Sequence, residues 1–193
     1  MIPIVHMLWI IVSYFIGCMN GGYYLVRLLR KQDIRQFGSG NAGATNTGRL
    51  LGKIGFVASF FIDIAKGLLV LWVPLVLEWG EVICVLAGIA VVVGHIWPVQ
   101  LQFRGGKGIA VFLGVLLLLD VWTVGIILLV FLLLYFFYRR FVIMGLAALA
   151  LSPFVMFLLD DVGSITIIGT AIITGIVIYA HRKNIREEFD RII

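Results

Sequence analysis

Charge is scarce in this 193-residue chain: Asp, Glu, Lys and Arg together make up 13% of it, while apolar residues make up 62%. A soluble domain runs at roughly 45–50% apolar and about 25% charged, so a water-soluble core is excluded. Cysteine is nearly missing as well. Cys18 and Cys84 both lie in apolar runs, with no C-x-x-C partner and no histidine at zinc-ligand spacing. That argues against a disulfide framework or a metal site and for two small packing residues. No cationic stretch precedes Ile4 and no small-residue cleavage site follows the first apolar run, so Met1 to Leu29 is expected to be a retained first span, not a removable signal.

Long apolar runs are what the sequence does have, and the mean hydropathy is +1.13. About 20 apolar residues cross ~30 Å of hydrocarbon. Windows of this kind fall at Ile4–Leu29, Ile54–Leu77, Val82–Val99, Ile109–Leu119, Val121–Tyr138, Phe141–Leu159 and Val162–Ala180. The pair flanking Asp120 is cramped, with only 31 residues between Lys107 and Arg139. These two helices must be short, or one must be re-entrant. Charge decides between the options, because Lys and Arg collect on the cytoplasmic side of spans. Seven crossings place 14 of the 15 cations on one face, Arg191 among them, and leave Glu78, Glu81, Asp120, Asp160 and Asp161 opposite. The expected fold is therefore an all-α integral membrane protein, one domain over residues 1–193. It has seven transmembrane helices, the N-terminus outside and the C-terminus cytoplasmic.

A glycine-rich segment follows the first span: Gly38-Ser39-Gly40-Asn41-Ala42-Gly43-Ala44-Thr45-Asn46-Thr47-Gly48-Arg49. Such a loop can turn successive backbone N–H groups toward one point, the arrangement that cradles anions in nests and at helix N-termini. Ser39, Asn41, Thr45, Asn46 and Arg49 add side-chain donors. Gly43-x-x-x-x-Gly48-Arg49 has nucleotide P-loop spacing, but Arg49 stands where lysine belongs and Leu50 where a magnesium-binding hydroxyl belongs, so an NTPase is rejected. A second cationic glycine loop, Phe103-Arg104-Gly105-Gly106-Lys107-Gly108, comes after Gly94-His95-Ile96-Trp97-Pro98 and opens onto the same face. Past the last span stand His181-Arg182-Lys183-Asn184, where a continuing helix would put His181 and Asn184 on one side. Asp63 and Lys66, three apart, lie about 15 Å along the helix from Lys53 and so near mid-bilayer depth. Residues there are either functional or a mutually neutralising structural pair. His95 is open in the same way, to a packing role or a binding one.

These segments together resemble the bacterial membrane acyl-phosphate:glycerol-3-phosphate acyltransferases. The run Gly38 to Asn46, Gly94-His95 with Pro98, Phe103 to Gly108, Asp63-x-x-Lys66-Gly67 and His181-Arg182-x-Asn184-Ile185 all fit that family, and the resemblance spans essentially the whole chain. Cys18 and Asn20 depart from it, standing where serine and proline are usual. The resemblance implies transfer of a fatty acyl group from acyl phosphate to the 1-hydroxyl of sn-glycerol 3-phosphate. The products are lysophosphatidic acid and inorganic phosphate, with no cofactor, no metal and no covalent acyl-enzyme. It implies Lys107, His181 and Asn184 as catalytic residues. For substrate binding it implies Gly38, Ser39, Gly40, Asn41, Gly43, Thr45, Asn46, Arg49, His95, Arg104, Gly106, Asp63 and Lys66. The proton acceptor stays open between His181 and a substrate phosphate oxygen. The implied setting is a multi-pass protein of the bacterial cell membrane with its active site at the cytoplasmic face. Its partners would be the two substrates, membrane lipid and an enzyme that makes the acyl phosphate, with no nucleic acid.

Other classes fit less well. His6, His95 and His181 are not followed five residues later by aspartate, as the acyl-CoA-dependent enzymes require, and no Asp-rich helix is available for a CDP-alcohol phosphotransferase. A transporter or channel for a phosphorylated metabolite is the serious alternative, since mid-membrane charge and broken helices also mark substrate paths. It would want polar residues on both faces, whereas the glycine loops here share one.

Overall fold

The computed structural model describes residues 3–190; Met1 and Arg191, used above in placing the first span and the basic face, lie outside them. Among the described residues there are helices and connecting turns and no strand. Helix forms in every one of the seven apolar windows. The helices are α1 (Ile4–Cys18), α2 (Gly21–Arg30), α3 (Ala44–Val76), α4 (Glu81–Ile96), α5 (Ile109–Leu119), α6 (Val121–Tyr138), α7 (Phe141–Ala150), α8 (Ser152–Leu159), α9 (Ser164–Ala180) and α10 (Arg182–Phe189). Four stretches are long and apolar enough to cross a membrane: Ala44–Val76, Glu81–Leu101, Val121–Tyr138 and Phe141–Leu159. Two bent pairs, α1 with α2 at 43° and α9 with α10 at 56°, bring the number to six, and α5 is a shorter apolar helix. The chain is an all-helical, multi-pass membrane protein.

The helix boundaries have local causes. The first window, expected as one span, breaks at Met19–Asn20, where Met19 leaves helical geometry (φ −76°, ψ 79°) just before a polar residue and two glycines. Helix α3 starts at Ala44, well before the expected Ile54, and kinks at Gly52, whose φ of 71° and ψ of −167° only glycine adopts readily. Asp120 divides the cramped stretch: its carboxylate accepts the Trp122 N–H at 2.9 Å and the Thr123 hydroxyl at 2.5 Å, capping α6. Pro153, in the first turn of α8, cannot continue α7, so the two meet at Leu151.

The chain forms two compact units, Met1–Val115 and Leu116–Ile193. In the first, α1 packs along α4, and α3 contacts α1, α2 and α4. Backbones approach closely through small residues, as apolar surroundings favour. A Cβ on Gly17 would overlap the Val91 carbonyl oxygen, and one on Gly94 the Tyr14 carbonyl oxygen. Gly67 and Gly114 bring α3 and α5 together in the same way, against the carbonyls of Val111 and Ile64. Val70, Leu71, Val91 and Phe112 fill the space between. In the second unit α6 lies on α7 and α8, and α9 on α7 and α8. Met156, Ile173 and Val177 are buried there, and an Arg140–Glu188 ion pair of 2.5 Å ties α10 to the start of α7. Large apolar side chains point outward along the helices, Trp122 and Phe137 among them, the inverse of a soluble protein.

Substitutions at glycine should separate these roles. Gly94→Val should lower stability by about 1–3 kcal/mol, the usual cost of forcing atoms into a filled contact. Gly125→Ala and Gly175→Ala, where an added Cβ meets open space, should be neutral or stabilising by up to about 1 kcal/mol. Thermal unfolding in detergent measures all three; a Gly94→Val protein as stable as the parent would rule out the close α1–α4 crossing.

Candidate active site

The two glycine loops both belong to the first unit, and they touch. Ala42 donates its N–H to the Gly105 carbonyl at 3.2 Å. The Arg35 guanidinium reaches from the base of the first loop to the Leu101 carbonyl, in the turn just before the second, at 2.6 Å. Arg35 is itself held by Asp33, through Nε to Oδ1 at 3.0 Å and a terminal nitrogen to Oδ2 at 2.6 Å. That side-chain pairing holds the Asp33 carboxyl below the usual carboxylate range against the opposing effect of burial, and raises the Arg35 guanidinium in turn.

Asn46 shapes the first loop. Its Nδ2 donates toward the carbonyls of Ile34, Phe37 and Asn41 at 3.2, 2.9 and 3.0 Å, and its Oδ1 accepts the Ser39 N–H at 3.1 Å. A side chain implied from sequence as a substrate donor is thus buried and committed to the loop itself. Gly38 must be glycine twice over: φ is +57°, and a Cβ would collide with Asn46 Oδ1. Asn41 Oδ1 accepts the Gly43 N–H at 2.9 Å, which turns the chain into α3. No side chain caps α3 at Gly43; the Asn46 N–H turns back to the Gly43 carbonyl at 3.1 Å, and the helix N-terminus carries the partial positive charge of its aligned peptide dipoles. Ser39, Thr45 and Arg49 stand exposed around this turn, and Gly40 and Asn41 are half-buried.

The second loop is clasped to the end of α4. Gly105 and Gly106 donate their N–H groups to the carbonyls of Ile96 and His95 at 3.1 and 3.0 Å. A Cβ on Gly105 would strike the His95 carbonyl, and one on Gly106 the edge of the His95 ring. Gly108, at φ +91°, then turns the chain into α5. Arg104 is exposed and Lys107 half-buried. Around the joined loops Ser39, Thr45, Arg49 and Arg104 are exposed and Lys107 is half-buried, while the N–H groups of Ser39, Gly40, Ala42, Gly43, Gly105 and Gly106 are bonded within the protein.

Asp63, Lys66 and His95 come together, but beneath this surface. Lys66 Nζ lies 2.8 Å from Asp63 Oδ1 and 2.8 Å from His95 Nδ1, and donates to the carbonyls of Gly17 and Met19 at 3.0 Å each. All three side chains are buried. Asn20, which the sequence marked only as a departure from a family pattern, joins them: its Nδ2 reaches His95 Nδ1 at 3.0 Å and the His95 carbonyl at 2.9 Å. Gln100 was also missed; it donates to the Cys18 carbonyl at 2.6 Å. The available signal was one polar residue inside an apolar span, directly before Gly21-Gly22.

His181 and Asn184 belong to the second unit. Helix α9 ends at Ala180, as the last apolar window does; the chain then bends by 56°, and His181 lies between α9 and α10. His181 Nδ1 lies 2.8 Å from the Val177 carbonyl. A carbonyl only accepts, so Nδ1 carries the proton and the lone pair of the neutral ring is on Nε2. Asn184 sits in the first turn of α10 and is half-buried. Among the described residues no group of three His, Cys, Asp or Glu side chains is arranged to hold a metal ion.

Residues 7–191 match the family model described as glycerol-3-phosphate acyltransferase. The chain is 38% identical to glycerol-3-phosphate acyltransferase 1 of Desulfitobacterium hafniense (strain Y51), over 97% of this chain and 92% of that one. It is 36% identical to the glycerol-3-phosphate acyltransferase of Syntrophomonas wolfei, over 91% and 89%. Among solved structures it is similar to PlsY, an integral membrane glycerol 3-phosphate acyltransferase. The form with glycerol 3-phosphate has a TM-score of 0.89 at 30% identity, covering 96% of this chain and 92% of that one. The form with lysophosphatidic acid has a TM-score of 0.87 at 29% identity and the same coverage.

Two outcomes test the loop framework. Asn46→Ala should cost about 1–3 kcal/mol, because three carbonyls and one N–H lose their partner, and thermal unfolding reads it. Asp33, with its carboxyl lowered in the folded state, contributes stability that is complete above its unfolded value of about 4 and is lost as pH falls through the folded value. The stability gap between the parent and Asp33→Asn should therefore shrink below about pH 4; a gap constant from pH 7 to pH 3 would dismiss the pairing.

Proposed function

Because the chain belongs to the glycerol-3-phosphate acyltransferase family, we propose that it transfers a fatty acyl group from acyl phosphate to the 1-hydroxyl of sn-glycerol 3-phosphate. The products are lysophosphatidic acid and inorganic phosphate. The observation that supports the donor assignment is the pair of glycine loops joined from Ala42 to Gly105, with the cations Arg49, Arg104 and Lys107 in or next to them along the chain. Two phosphate groups must lie close together during this transfer, and a cluster of cations and backbone donors offsets their repulsion.

The first loop, through Gly38, Ser39, Gly40, Asn41, Gly43 and Thr45, takes the acyl-phosphate head, and Asn46 keeps that loop in shape. Arg49, Arg104, Gly106 and Lys107 hold glycerol 3-phosphate and stabilise the developing oxyanion. The glycerol 1-oxygen attacks the acyl carbonyl carbon and forms the new ester bond. The carbonyl C–O bond to phosphate breaks, and phosphate leaves with the electron pair. An acyl phosphate is already a mixed anhydride, so positioning and charge stabilisation supply the acceleration without a covalent acyl-enzyme. The hydroxyl proton goes to His181 or to a phosphate oxygen of the substrate. The Nδ1-protonated tautomer of His181 supports the first route, since a neutral ring of that form accepts at Nε2. Asn184, three residues on, is assigned with it to catalysis. The topology that accompanies this reading has seven spans, the N-terminus outside, and the loops at the cytoplasmic face of a bacterial membrane. Membrane lipid and an enzyme supplying the acyl phosphate are its partners.

Purified protein given glycerol 3-phosphate should release lysophosphatidic acid and phosphate with palmitoyl phosphate and not with palmitoyl-CoA. Product from palmitoyl-CoA alone would reverse the donor assignment, and silence with both in folded protein would favour the transporter. His181→Ala should lower turnover on the order of 100-fold if the histidine is the base. Turnover within a few-fold of the parent would assign the proton to the substrate phosphate.

A further inference from the structure

We propose that Asn20, Asp63, Lys66 and His95 are positioning residues: a buried polar hub that fixes the Gly105–Gly106 strip, and through it Lys107, at the distance the reaction needs. The inference rests on the reading of the site given above and deepens it.

The hub joins three helices at one atom. Lys66 Nζ, from α3, has four neighbours at 2.8–3.0 Å: Asp63 Oδ1 on the same helix, the carbonyls of Gly17 and Met19 at the end of α1, and His95 Nδ1 on α4. Asp63 Oδ1 also accepts the Gly21 N–H at 3.2 Å, which catches the first turn of α2. His95 Nδ1 is approached by Lys66 Nζ and by Asn20 Nδ2, and both are donors. Nδ1 must therefore accept, which sets one tautomer and one rotation of the ring. The far edge of that ring then lies where a side chain on Gly106 would be.

Two separate contacts carry this setting to the glycine strip. The His95 carbonyl accepts from Asn20 Nδ2 at 2.9 Å and from the Gly106 N–H at 3.0 Å, and the ring edge abuts Gly106 from the side. The next residue is Lys107. Holding helices together does not need ionisable groups, since apolar side chains of similar volume often do so as well or better. What directional hydrogen bonds add is a fixed ring orientation, and a misplacement of about 1 Å at a reacting site can cost on the order of 100-fold in rate.

The test combines kinetics with amide exchange on the full-length protein in detergent. Asn20→Leu keeps the volume and removes both donations to His95. It should lower kcat/KM for glycerol 3-phosphate on the order of 10- to 100-fold, and the amides of Gly105 and Gly106 should exchange at least about tenfold faster, while exchange within α3 and α6 stays parental. His95→Asn, whose Oδ1 can take the place of Nδ1, should retain more activity than His95→Ala, and His95→Gln should not. Parental exchange at Gly105 and Gly106 with parental kcat/KM in folded Asn20→Leu would overturn the proposal, as would equal losses in His95→Asn and His95→Ala. If Asn20→Leu does not fold, exchange at Gly105 and Gly106 in the His95 variants decides. A parent silent with every acyl donor would sink the acyltransferase reading alone, because the exchange measurements still judge the hub.

Discussion

An interrupted helix inside an apolar span leaves carbonyl groups with no helical partner and little water to meet them, and the first unit is organised around that constraint. Helix α1 stops at Cys18 and α2 resumes at Gly21. The carbonyls of Gly17 and Met19 receive Lys66 Nζ, and that of Cys18 receives Gln100. The donors come from α3 and from the turn after α4, so satisfying the break also fixes where those elements sit. The close α1–α4 crossing at Gly17 and Gly94 lies beside the break, and Lys66 reaches the freed carbonyls from α3. A span that ran straight through would need none of this and would leave His95 without its orienting partners.

From the break the constraint passes outward to the surface loops. His95 connects the buried hub to Gly105 and Gly106, Gly105 meets Ala42, and Asn46 holds the segment from Ile34 to Asn41 in a fixed curl. Polar residues in this unit thus fall into two groups by depth. The buried ones, Asn20, Asn46, Asp63, Lys66 and His95, bond to protein. The exposed and half-buried ones, Ser39, Thr45, Arg49, Arg104 and Lys107, border the joined loops. Such layering suits an anionic substrate, since electrostatic stabilisation works best from groups that need not reorganise.

The second unit follows a simpler logic. Helices α6 to α9 carry no Asp, Glu, Lys or Arg and pack through Leu, Ile, Val and small residues, with Ser152 and Thr174 facing one another at 3.4 Å. Order at its basic end comes from the bend after Ala180 and from the Arg140–Glu188 pair, which fixes α10 against α7. His181 ends α9 in the tautomer set by the Val177 carbonyl, so its chemistry depends on the backbone bend.

Much of this was legible in the sequence, because the bilayer imposes a length and composition rule that single windows obey. The apolar windows became helices, Asp120 divided the crowded pair, and the second glycine segment became a loop, whereas the first is a loop only as far as Gly43 and continues as the first turns of α3. Glycine content marked where backbones approach or turn, and the family followed from the ordered set of motifs. Composition could not reveal that Met19–Asn20 interrupts the first window, since one polar residue in an apolar run is as compatible with a continuous helix as with a break. Nor could spacing sort the polar residues by depth. Asn46 and Ser39 read alike as donors in one glycine loop, yet one is buried under the carbonyls of Ile34, Phe37 and Asn41 and the other is exposed. The sequence by itself determined the solvent this chain folds in, its helices and the chemistry of its loops, because these depend on local composition. Only the tertiary structure decided which side chains hold the loops and which border them, because that choice depends on contacts between residues as far apart as Asn20 and His95.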